Sequence, residues 1–251
     1  MPVYQFGSGT LFATPLTTIG NAAANPTPTQ FGSLQDVSLD ISFDTKELYG
    51  MYQFPDMIAR GKGKITGKAK FARVNGKQLN DLFFGQTVAA GQTLAQLDQA
   101  ASVPASPFQI TITPPNSGTF VEDQGVRYAS TGEPLTRVAS GPTQGQYTLS
   151  GAQYTFASAD TGANILISYT YSVAAVGATV AVTNQLMGFA PNFSCVLREL
   201  FNSQQTNVKL YACIASKLTR ATKQDDFLIQ EFDFQAFANA AGKVIDFYDA
   251  V

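Results

Sequence analysis

Glycine and lysine alternate through Gly61-Lys62-Gly63-Lys64-Ile65-Thr66-Gly67-Lys68-Ala69, the residue types with which a backbone loop cradles phosphate. The spacing fails both phosphate patterns. A dinucleotide fingerprint needs its third glycine one residue earlier, and a P-loop needs four residues between its glycines and a Ser or Thr where Ala69 stands. Both also need a helix with an apolar stripe directly downstream, which is missing. The run therefore reads as the charged face of a strand. Cys195 and Cys213 have no Cys-x-x-Cys partner and read as half-buried strand residues. The chain contains no histidine. That removes Ser-His-Asp and Cys-His nucleophilic catalysis, imidazole proton transfer near neutral pH, and most zinc and iron sites.

Asp160-Thr161-Gly162 is the tripeptide with which a dimeric aspartic protease brings two carboxylates together to share a proton. In such enzymes it follows an apolar strand, whereas Ser158-Ala159 precede it here. Between Phe156 and Ile165 the same tripeptide is good hairpin chemistry, and a turn is the reading adopted. Asn192-Phe193-Ser194 fits the glycosylation pattern, which has no consequence without a secretory signal. No carboxylate pair is assignable to glycosidase chemistry, since separation in space is not readable from one sequence. These residues point to no catalytic group, no metal and no cofactor, and the chain is expected not to be an enzyme.

The elements that hold these residues follow from composition and periodicity. The chain has 251 residues, enough for one large domain or two modest ones. A chain of this length buries roughly 70–75% of the surface its unfolded form exposes, so it needs no disulfide or metal staple. Hydrophobic residues make up 45% and charged residues 14%, which describes a globular but sparsely charged protein. With 16 basic and 18 acidic side chains there is no basic excess for tight duplex binding. Met1-Pro2-Val3-Tyr4-Gln5 lacks the basic-then-apolar order of a signal peptide. Val173 to Val182, broken by Gly177, is far short of a membrane span. A soluble protein made in a cytoplasm is expected.

Residues 1–33 hold no period of 2 or 3.6 and read as an extended arm or long loop. Order begins at Leu34. Val37, Leu39, Ile41 and Phe43 alternate with Asp36, Ser38, Asp40, Ser42 and Asp44, which describes a strand with one apolar and one acidic face. Asp44-Thr45-Lys46 is the expected turn into a partner strand, Lys46 to Phe54. Met57 to Arg73 reads as a long strand whose Arg60, Lys62, Lys64, Lys68 and Lys70 share one parity. Its glycines weaken strand propensity, so pairing on both edges should hold it. One helix follows, with Asn75 as N-cap, Gln78 as capping-box partner, Leu79, Leu82 and Phe83 on one face, and Gly85 as stop.

Residues 87–103 form a weak strand and linker. From Pro104 the composition changes, and short strands separated by turns such as Asp123-Gln124-Gly125 suit a small sandwich up to about residue 175. Strands return at Phe193–Leu200, Val208–Leu218, Phe227–Phe237 and Val244–Phe247. The expected fold class is all-β with one α-helix. Its organisation is an arm, 1–33, a split β domain, 34–103 with 176–251, and an inserted β module, 104–175. The acidic and basic strand faces admit two readings: a solvated sheet with cross-strand ion pairs, or self-assembly in which one subunit's acidic strand meets the next subunit's basic one.

Three stretches resemble a major tail tube protein of a tailed bacteriophage. They are Phe31 to Asp40, Gly61 to Gly85, and Asn184-Gln185-Leu186-Met187-Gly188-Phe189-Ala190-Pro191 with the closing strands. The insert resembles a module of phage structural proteins through Thr131 to Val138, Gly145-Gln146-Tyr147, Tyr154 to Ala157 and Ile165 to Tyr171. The resemblance covers most of residues 31–251. It implies hexameric rings stacked into a hollow tube, with each subunit adding strands to a closed inner β-barrel and packing its helix outside. An arm and a long loop would join successive rings, and the inserted sandwich would face outward. It further implies a structural protein of the virion tail, assembled in the host cytoplasm. Its partners would be copies of itself, a tape measure protein and tail-end proteins, with DNA in transient passage and no membrane.

A channel for DNA favours an acidic or neutral wall. Asp36, Ser38, Asp40, Ser42, Glu231, Asp233 and Gln235 are therefore the candidates to line it. Arg60, Lys62, Lys64, Lys68 and Lys70 are either neutralised on that wall by neighbouring carboxylates or act as pairs between subunits, and paired lysines are the preferred reading. Two alternatives stand beside the structural one. The first is a glycan- or cell-surface-binding β-sandwich protein acting through Tyr128, Tyr147, Tyr154 or Tyr169. The second is an enzyme using Asp160 in a dimer.

Overall fold

Alternating apolar and polar side chains recur along the chain, and it folds mostly as strands. The computed structural model describes residues 7, 9–18, 21–22, 25–73, 76–202, 204–222, 224–225 and 227–248. They form two compact units, Met1–Thr87 with Val180–Val251, and Val88–Thr179.

The first unit begins with β1 (Thr10–Pro15), the two-residue strands β2 (Thr17–Thr18), β3 (Asn21–Ala22) and β4 (Thr29–Gln30), and the long β5 (Gly32–Tyr49) and β6 (Pro55–Arg73). Helix α1 (Gly76–Leu79) runs into a π-helical turn, Asn80–Phe84. The second unit holds β7 (Val88–Ser102), β8 (Gln109–Thr111), β9 (Thr119–Tyr128), β10 (Thr136–Arg137), β11 (Gln146–Ser150), β12 (Gln153–Phe156) and β13 (Asn164–Val180). The chain then returns to the first unit through β14 (Asn192–Phe201), β15 (Gln204–Arg220), β16 (Gln230–Phe237) and β17 (Ile245–Tyr248).

An eight-stranded sheet builds the first unit, in the order β4-β1-β14-β15-β16-β6-β5, with β17 beside the first part of β15. It is open, since β4 and β5 end the order unpaired with each other. A register shift between Ala215 and Lys217 bends β15. The sheet curls far enough that Leu11 of β1, Val37 and Leu39 of β5, and Phe234 line one small apolar pocket. Inward parity places Phe71, Phe193, Phe232 and Phe234 in the core, where Phe31 meets Phe71 edge-on at 5.0 Å. Leu79, Leu82 and Phe83 of the helical segment pack on the same cluster. Gly85, at φ +63°, closes the π turn by donating its N–H to the Asn80 carbonyl at 2.6 Å. The Asn80 side chain clasps the Gln86 backbone from both directions.

Strand β6 is paired on both edges only from Ile65 to Phe71, where β16 lies on one side and β5 on the other. Past Ile65 the β5–β6 pair continues as a two-stranded ribbon, residues 41–64, exposed along almost its whole length. A Cβ at Gly67 would fall inside the Phe234 ring. A Cβ at Gly63 would stand 2.8 Å from Phe43 Cε1. Gly63 and Gly67 are therefore floors under cross-strand aromatic rings, which restores packing that glycine alone forfeits, whereas Gly61 faces Asp44.

Several expectations are corrected. Asp44-Thr45-Lys46 is not a turn: β5 runs straight through it, and the reversal comes at residues 50–54. Polar residues there mark a strand with both faces in solvent, a pattern that imitates a turn. The arm 1–33 contributes β1 to the sheet, and Leu11, Ala13 and Phe31 are core residues. Asn75 and parts of that arm lie outside the described residues. Gln78 is buried with no partner on its Nε2 among the described residues. Residues 88–102 belong to the second unit, where Leu94, Ala101 and Val103 join the core. That unit's four-stranded sheet, β10-β11-β12-β8, and three-stranded sheet, β7-β13-β9, share one apolar cluster. Asp123-Gln124-Gly125 is part of β9 rather than a turn between strands.

The glycine floor has a measurable consequence. Gly67→Ala should destabilise the protein by about 1–3 kcal/mol in urea unfolding, through overpacking against Phe234. Gly76→Ala, whose added Cβ meets nothing within 4 Å, should stay within about 0.5 kcal/mol of the parent.

Candidate assembly face

Cross-strand register brings the two groups of charged residues together on one face. Asp36 lies opposite Lys70, Ser38 opposite Lys68, Asp40 opposite Thr66 and Ser42 opposite Lys64. On the other edge of β6, Glu231 lies opposite Lys70, Asp233 opposite Lys68 and Gln235 opposite Thr66. Lys217 of β15 lies opposite Asp233. Paired residues of an antiparallel sheet share a face. The candidate lumen residues and the lysines are thus one polar strip, on the side of the sheet away from the aromatic core. Four carboxylates, Asp36, Asp40, Glu231 and Asp233, stand among four ammonium groups, Lys64, Lys68, Lys70 and Lys217.

The pairs are made within the chain. Lys68 Nζ lies 3.1 Å from Glu231 and 3.9 Å from Asp233, and Lys70 Nζ lies 3.8 Å from Asp36 and 4.0 Å from Glu231. Its hydrogen bond to Glu231 and the nearby Asp233 charge raise the Lys68 pKa, and the same bond lowers that of Glu231. Lys62 and Lys64 make no ion pair among the described residues. Arg60 departs from the expected parity. Between the pairs Phe43–Gly63 and Thr45–Arg60, one residue of β5, Asp44, is matched by two of β6, Gly61 and Lys62, and this bulge turns Arg60 over the Phe43 ring, 4.0 Å from its centroid.

Beyond the strip the ribbon becomes apolar. Leu48, Tyr49, Met51, Tyr52, Phe54, Met57 and Ile58 are exposed around its tip, Met51 at 89% and Phe54 at 81%. Sequence parity showed the strip's residues but not the ribbon, because only the placement of β16 reveals where β6 loses its second neighbour.

The tyrosines divide. Tyr147, Tyr154 and Tyr169 are buried. Tyr147 and Tyr154 donate to the two oxygens of Asp123, at 2.6 and 2.9 Å, and Tyr169 donates to Gln99 at 2.7 Å. Burial first, and the Asp123 bonds second, push both phenols upward. Asp123 also accepts the Gly125 N–H at 2.9 Å and has its side chain 4% exposed. It is a core polar node that sequence reasoning took for a turn residue. Asp160 is buried and accepts from the Tyr128 hydroxyl at 2.7 Å and the Gly145 N–H at 3.0 Å, which is structural work. Cys195 and Cys213 are buried, with their sulfurs 3.9 Å apart, and this contact together with burial pushes the Cys195 thiol up.

No protein-family model matches the chain, and no curated protein matches it.

The strip sets a pH dependence. A carboxylate whose folded pKa is depressed stabilises the protein above its unfolded pKa, about 4.3 for Glu, and loses that contribution as pH falls through the folded value. A lysine with a raised pKa contributes below its unfolded value and loses that only at alkaline pH. Glu231→Gln should therefore shrink the fall in Tm between about pH 5 and pH 3. Some fall should remain, because Asp98, held down by Arg127, and Asp246, held down by Tyr211, titrate in the same range.

Proposed function

We propose that this chain is a structural, self-assembling subunit without catalysis, completed by copies of itself into stacked rings that form the tail tube of a bacteriophage. The observation that carries the reading is the ribbon 41–64. A two-stranded ribbon is marginal in water unless a face is covered, and this one exposes large apolar side chains on a sheet whose outermost strand, β5, has an unpaired edge. Exposed apolar patches and open edges are completed by partners. A second copy is the partner that closes a sheet repeatedly, and ring closure removes the edge altogether. The closed inner barrel, the six-fold ring and the outward sandwich come from the resemblance.

The polar strip supports the same reading. In a channel wall its carboxylates and ammonium groups neutralise one another in place, so a passing DNA backbone meets little net field. Lys68 and Lys70 then belong to the wall, while Lys62 and Lys64 remain to pair between subunits. A tail location in the virion and partnership with the tape measure and tail-end proteins follow from this reading.

Negative-stain electron microscopy of the purified protein tests it. Rings or tubes are expected, and monodisperse monomers would oppose it. Lys64→Glu with Lys68→Glu should abolish the tubes. Lys64→Glu alone, which breaks no ion pair among the described residues, should weaken them, and normal tubes from both variants would refute charge pairing between copies.

A further inference from the structure

The second unit carries a cleft of about 580 Å³ whose lining includes Tyr128, Ser130, Thr131, Glu133, Gln144 and Gln146. Its volume is that of a small-molecule site. We propose that it binds an uncharged oligosaccharide. This inference stands apart from the assembly reading, since it uses only residues of the second unit.

The cleft is built before any ligand arrives. Asp160, 3% exposed, joins its two walls by accepting from Tyr128 on one and from the Gly145 N–H on the other. The first wall is closed by the Tyr128 N–H donating to the Glu133 carbonyl at 2.9 Å and the Gly132 N–H to the Tyr128 carbonyl at 2.9 Å. The second is closed by Gln146 Oε1, which accepts from the Thr143 N–H at 3.1 Å and the Thr143 hydroxyl at 2.9 Å. The Thr136 N–H donates to the Gly145 carbonyl at 2.9 Å between them. A site fixed in advance spares a ligand the cost of ordering it.

The lining selects the chemical class. Hydroxyls and carboxamides each donate and accept, which matches the paired donor and acceptor of every sugar hydroxyl. The side chains of Ser130 and Gln144 have no partner among the described residues, so they are available to a ligand. Tyr128 adds an aromatic surface with a negative face, suited to the C–H face of a pyranose. Glu133 lines the cleft, Asp160 lies beneath it, and no lysine or arginine lines it. That field disfavours phosphate, sulfate, carboxylated sugars and nucleic acid. The polar lining disfavours a lipid tail.

The intact protein applied to an array of neutral, carboxylated and sulfated oligosaccharides tests the proposal. At least one neutral oligosaccharide should be retained in preference to the acidic ones. Gln144→Ala with Gln146→Ala should lower that signal by about tenfold, the loss of one to two hydrogen bonds. Should the double variant melt early, Gln144→Ala alone, whose side chain makes no hydrogen bond among the described residues, should still lower it with an unchanged melting curve. Retention of no neutral oligosaccharide, preference for an acidic one, or undiminished binding by the variants would overturn the assignment.

Discussion

A β-strand in water is held by hydrogen bonds to its neighbours and by cover on at least one face, and a long open edge is a liability. The 41–64 ribbon lacks the cover, and β5 lacks a neighbour along its outer edge. The aromatic core, the helical segment packed on it and the doubly paired stretch of β6 are completed within the first unit. The ribbon is one continuous feature, and it carries seven large exposed apolar side chains between Leu48 and Ile58. On the reading proposed above, a second copy supplies what this ribbon lacks.

Charge is handled in the opposite way. The strip on the outer face of the same strands has its lysines and carboxylates interleaved by register, so most of its field cancels before any partner arrives. Exposed pairs of this kind add little stability and are screened by salt. Their effect is to fix the sign of the surface. In the second unit the buried carboxylates Asp123 and Asp160 work differently. Asp123 gathers two tyrosine hydroxyls and Asp160 one, each together with a backbone N–H, and so they hold irregular backbone in a sheet-rich core.

Much of this was legible in the residues. Strict alternation identified β5, β15 and β16, and Leu79, Leu82, Phe83 and Gly85 identified the helical segment and its stop. Period-2 parity also names the residues of the polar strip, but it leaves open whether the two signs meet within the chain or between copies. Parity gives a face within one strand, whereas register between strands decides which faces coincide. The bulge that turns Arg60 over Phe43 is likewise a property of two strands together. The ribbon was misread because Asp44-Thr45-Lys46 has turn composition, and composition does not separate a turn from a strand wet on both sides. Asp123 was misread for the same reason, since an Asp beside a glycine is common to turns and bulges, and its tyrosine partners come from β11 and β12.

Hydrogen–deuterium exchange of residues 41–64 against protein concentration tests the central claim most directly. If copies complete the ribbon, its amides exchange rapidly in dilute protein and become protected as concentration rises, while those of the core around Phe232 and Phe234 stay protected throughout. Ribbon amides whose protection is the same at every concentration would contradict the account.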